Sequence, residues 1–168
     1  MTVRSQLLGA HAAGRIVRPC QEALDWAGDR DLPTAWDKNP RGEWSLWVLQ
    51  QAGVKIPLEW VAREVVAPAF DCAATDLRVT LPGHATSLST HANALRGATA
   101  ETARSLLTAA GAARDDGAAA RVAWVAWVAW VARAAGAAGS AAQRRCADAV
   151  RARWPVPPPE VVAMLEGP

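Results

Sequence analysis

The chain has 168 residues, 51% of them hydrophobic and 20% charged, with a formal net charge of +2 and only three cysteines. That length buries a core unaided, and the composition excludes both a mainly disordered chain and a disulfide-dense scaffold. Alanine, the best helix former, supplies 39 residues, so the expected fold class is all-α: a single-domain multi-helix bundle over residues 1–168.

The N-terminus, MTVRSQLLGAHAAGRIVRPC, has short apolar pieces broken by Gly9, Arg15 and Arg18, so no secretory core is expected there. A membrane span needs roughly 18 apolar residues without charge. The longest apolar run, 122–132, stops at eleven between Arg121 and Arg133. The expectation is a cytoplasmic protein with no membrane span, in a compartment where free thiols are normal.

Pro and Gly punctuate residues 1–70, which predicts short helices. Pro19, Pro33, Pro40 and Pro57 each precede an apolar run, the place proline suits in a first helical turn. Cys20, Ala23, Leu24 and Ala27 share one face, as do Trp44, Trp47, Val48 and Gln51 of the next long element, which Gly53 should stop. Leu58, Val61, Ala62, Val65 and Ala69 form a third stripe, with Glu59 and Arg63 spaced for an i,i+4 pair and Pro68 expected to end or kink the helix. Residues 71–86 lack a clean period and contain Pro82-Gly83, so a loop is expected. Residues 87–154 read as Ala-rich helices, the last from Ala141 to Trp154 behind a Ser140/Gln143 capping box. Residues 155–168 read as a Pro-rich spacer and a short terminal helix.

The segment RVAWVAWVAWVAR repeats Val-Ala-Trp. Three residues turn ~300° in a helix, so successive Trp rings drift by ~60° and, with the valines, leave no polar face. A helix apolar all round is normally buried. Trp124, Trp127 and Trp130 are therefore expected in the core, together with Trp44, Trp47, Cys146 and Trp154.

Four motifs carry a resemblance: CQEALDW at 20–26, LPTAW at 32–36, RGEWSLWVL at 41–49 and QRRCADAVRARWPVP at 143–157. In this order they resemble a family of uncharacterised Ala/Trp-rich helical proteins of phages and high-GC bacteria. The resemblance spans about residues 20–165. Related proteins are labelled immunity proteins of bacterial toxin systems, so it implies an all-helical fold and a protein partner. Asn39-Pro40 stands where that family often has a Cys, and Glu43 stands for its usual Asp.

Chemistry-bearing constellations are few. Cys20, Cys72 and Cys146 are isolated, and His84 and His91 lie seven apart, so no metal site or cofactor is expected. Asp115-Asp116 before Gly117 reads as a helix N-terminus rather than a catalytic carboxylate pair. No nucleophile motif occurs, and no catalytic residue is expected. Residues 99–153 carry eight basic and four acidic side chains, net +4. That is a mild excess, which suits a solvated helix face better than specific nucleic-acid binding. Two partner-binding surfaces are expected. Trp60 and Glu64 project away from the Leu58/Val61/Val65 stripe, and exposed Trp is a common interface anchor. Arg144 and Arg151, with Asp148, form the second face. The resulting expectation is a non-catalytic protein-binding module, an immunity or phage–host conflict protein. The alternatives are a self-associating assembly protein with the Trp-rich helix between subunits, and nucleic-acid binding through the Arg-rich C-terminal helix.

Overall fold

A computed structural model of the chain describes residues 1–103, 105 and 137–167. Among these the architecture is all-α, and one apolar cluster runs from Val3 near the start to Leu165 near the end. The Val-Ala-Trp repeat, with Trp124, Trp127 and Trp130, and the Asp115-Asp116 pair lie outside the described residues.

Helix α1 (Val3–Ala12) starts at Thr2, whose hydroxyl accepts the Ser5 N–H, and buries Val3, Leu7 and Ala10 at i, i+4, i+7. Helix α2 (Gln21–Ala27) follows Pro19 and closes at Gly28, whose φ of 46° suits a residue without a side chain. Helix α3 (Leu32–Lys38) is capped by Asp31, whose carboxylate accepts the Thr34 N–H at 2.8 Å. Hydrogen bonds from Thr34 hold this carboxyl below its ordinary range. The stability the cap supplies is therefore present at neutral pH and lost as pH falls through that lowered pKa. Helix α4 (Gly42–Gln51) starts two residues past Pro40 and drives Leu46 and Leu49 into the centre.

Helices α5 (Leu58–Val61) and α6 (Ala67–Leu77) are joined without a break by a π turn over Ala62–Val66. Pro68 explains the turn. It has no N–H to offer the Glu64 carbonyl and its ring would collide there, so the chain widens by one residue and Ala67 N–H bonds the Ala62 carbonyl. The expected break at Pro68 is thus a widened turn inside a continuing helix. The widening also displaces side-chain register, and Arg63 pairs with Glu64 at 3.1 Å rather than with Glu59.

The loop expected at 71–86 is corrected. Residues 71–77 continue α6, and α7 (Pro82–Arg96) begins at Pro82, leaving a short turn between. Phe70, Cys72, Ala73 and Ala74 are buried, because α6 is covered on more than one side and so shows no narrow stripe. The α6 and α7 helices run antiparallel: Arg96 at the end of α7 bonds Asp71 near the start of α6, and His91 lies edge-on to Phe70.

Helix α8 (Ala137–Arg153) packs across α4 and α6, and α9 (Pro159–Glu166) packs on α1. Helix α8 begins before Ser140, which is therefore not a cap. Gln143 reaches Glu43 on α4 instead of back to Ser140. No helix among the described residues is long and apolar enough to cross a membrane.

Candidate functional site: a tryptophan cleft beside the α4–α8 contact

The segments 20–26, 32–36, 41–49 and 143–157 meet in space. Gly42 opens α4 against α8 so closely that a Cβ there would lie within 2.5 Å of the Cys146 Sγ and carbonyl carbon and of the Ala147 nitrogen. Next to it Glu43, 6% exposed, accepts from Gln143 Nε2 at 3.0 Å and pairs with Arg41 Nη2 at 2.6 Å. Arg41 also holds Glu22 of α2. Burial opposes the Arg41 charge, but the Glu43 and Glu22 carboxylates more than offset it and raise its pKa. Asn39 receives the Arg41 N–H at 2.9 Å and donates to the Ser45 Oγ at 2.8 Å. Trp36 closes the set, its indole N–H donating to the Trp154 carbonyl at 2.8 Å.

In front of this network lies a cleft of about 320 Å³. Trp26, Trp36, Trp44 and Trp47 are part of its lining, with Glu43 and Ser45 among its polar groups and Cys20 and Arg18 also on it. Trp26 and Trp44 meet at 5.7 Å between ring centroids, tilted by 50°. Each carries an arginine: Arg30 lies 4.7 Å from the Trp26 ring centre and Arg41 lies 4.9 Å from that of Trp44. Such a volume sits at the lower end of ligand pockets, roughly 300–1,000 Å³, and a mostly apolar wall with a few fixed polar groups is their usual make-up.

The surfaces expected from sequence fare differently. Trp60 is buried, 8% exposed, and is a correction: it lies edge-on to Trp154 at 5.3 Å with Arg153 over its ring. The stripe argument assumed one covering neighbour, whereas the end of α8 covers this second side. Glu64 is partly exposed and paired with Arg63. Arg144 is exposed, but Arg151 turns inward, donating to the Asn39 carbonyl at 2.7 Å and to Asp148 at 2.5 Å. It fastens α8 to the α3–α4 turn instead of facing a partner. These four residues do not form one site.

Of the expected core residues, Cys146 is buried, Trp47 and Trp154 are half-buried against the core, and Trp44 is half-buried against Trp26 and Arg41. Helical periodicity does not reveal the cleft, because it assigns Trp44 and Trp47 to the core. Its available signal was the cluster itself, four Trp between residues 26 and 47 with a carboxylate among them.

The cysteines separate cleanly. Cys72 and Cys146 are buried and Cys20 is exposed. Burial, with the Glu43 charge adding, pushes the Cys146 thiol up to about 12, so it stays protonated where thiol reagents act. Alkylation of the folded protein near pH 8 is expected to label Cys20 alone, and all three thiols in denaturant. Mass spectrometry showing a second label under native conditions would contradict the described packing. Among the described residues no three His, Cys, Asp or Glu side chains gather as a metal would need.

No family model matches this sequence, and neither a curated protein nor a solved structure matches it.

Proposed function

We propose that this protein is a non-catalytic protein-binding module of the immunity kind, and that the tryptophan cleft receives an anchoring side chain of its partner. One observation carries the reading: an open cleft of about 320 Å³ with four tryptophans in its lining. Aromatic anchors in desolvated pockets supply most of the binding energy of protein interfaces. Three polar residues of the cleft are tied down, Asn39 to Ser45 and Glu43 to Arg41 and to Gln143 of α8, so they are held still as a rigid receptor needs. The sequence resemblance to helical proteins labelled immunity proteins points the same way.

The test is capture of partner with the intact protein and with Ala23→Trp, which fills the cleft from α2. Circular dichroism and melting temperature establish that the variant folds. A partner held by the parent and lost by Ala23→Trp is the expected result. A partner held equally by both overturns the cleft as the contact surface.

A further inference from the structure

The chemistry of the cleft narrows what it can take. Charged occupants of either sign are disfavoured. An anion would meet the buried Glu43 carboxylate, while Arg41 is already committed to that carboxylate and Arg18 on the lining is exposed to water, which screens its pull. A cation would find Glu43 already neutralised by Arg41, the rings of Trp26 and Trp44 already carrying Arg30 and Arg41, and Arg18 on the lining besides. Cation–π attraction at those rings is already taken up by the protein's own side chains, and a further guanidinium or ammonium would add like-charge repulsion.

A neutral group remains, and it cannot be purely apolar. An ionised carboxylate offers about four acceptor sites. Glu43 uses one for Arg41 and one for Gln143, which leaves capacity for a further donor. Ser45, also buried, lines the same space. Tryptophan walls favour a planar occupant, because offset and edge-on ring contacts add to the burial of area.

Resting on the reading of the cleft as a protein-contact site, we infer that it receives a neutral aromatic side chain bearing one hydrogen-bond donor, such as the indole of a partner's tryptophan, with that donor directed at Glu43. A flat ring without a donor would displace water from Glu43 and give nothing back.

The experiment follows the Trp26 and Trp44 indole N–H signals of the full chain by NMR during titration with four probes: indole, benzothiophene, indole-3-carboxylate and N-acetyltryptophanamide. Indole should give saturable shifts. Benzothiophene, the same shape without the donor, should bind at least about tenfold more weakly, and indole-3-carboxylate, which adds a negative charge, should also bind more weakly. N-acetyltryptophanamide, an indole carried on peptide groups, should bind at least as well as indole. Ala23→Leu should remove the response while leaving the fold intact. Equal binding of indole and benzothiophene, or no saturable shift with any probe, would overturn the inference. Binding of indole without N-acetyltryptophanamide would overturn a chain-borne occupant. The two readings fail separately: loss of partner capture in Ala23→Trp without indole binding sinks only the occupant. Indole binding with capture unchanged sinks the cleft as the partner's contact.

Discussion

Gly42→Ala is expected to unseat α8 and to lower the unfolding free energy by about 3 kcal/mol, the upper end of what overpacking costs. An added methyl would ordinarily help a helix, since alanine is about 1 kcal/mol better than glycine. Here the new Cβ falls within 2.5 Å of backbone atoms of Cys146 and Ala147 as well as of Sγ. A side chain could rotate away, but backbone cannot, so α4 and α8 must separate. That separation stretches the Glu43–Gln143 and Arg151–Asn39 bonds, which span the same contact. Removing the sulfur should not rescue the variant: Gly42→Ala with Cys146→Gly is expected to remain destabilised. Urea unfolding monitored by circular dichroism measures this, and a Gly42→Ala protein as stable as the parent would contradict the close approach.

The second large effect is expected at Trp36. It is 5% exposed and its N–H reaches the Trp154 carbonyl beyond the end of α8. Trp36→Ala should cost about 3–5 kcal/mol, the range for deleting a buried large aromatic. The void would also open into the cleft that Trp36 lines. Trp36→Phe keeps most of the ring but strands the carbonyl, and should cost about 1–3 kcal/mol. A Trp36→Ala variant within about 1 kcal/mol of the parent would show that α3 is not fastened to the chain after α8.

Much of the fold was legible because it follows from local chemistry. Alanine content announced the helical class, and the Asp31 cap with Pro33 in the first turn of α3 is a local signal. Gly53, at φ 73°, ends α4 where the pattern stopped. The failures share one cause. Helix α6 and Trp60 are covered on several sides, and a periodicity argument sees only one buried face. Ser140 and Gln143 fit a capping box in sequence, but Gln143 has a partner one hundred residues away, which no local pattern contains. The cleft was legible only as composition. That Trp26, Trp44 and Trp47 keep part of their surface open depends on how α2, α3 and α4 are spaced, and this is set by tertiary packing.

The most direct measurement of the central claim uses Cys20, the exposed thiol on the cleft lining. Its alkylation rate is compared in the free protein and in the complex with captured partner, while the buried Cys72 and Cys146 stay silent. If the partner's side chain enters the cleft, Cys20 should be protected by at least about tenfold at saturation, as a group enclosed on binding is. An unchanged Cys20 rate in a fully formed complex would place the contact elsewhere on the surface and contradict the account.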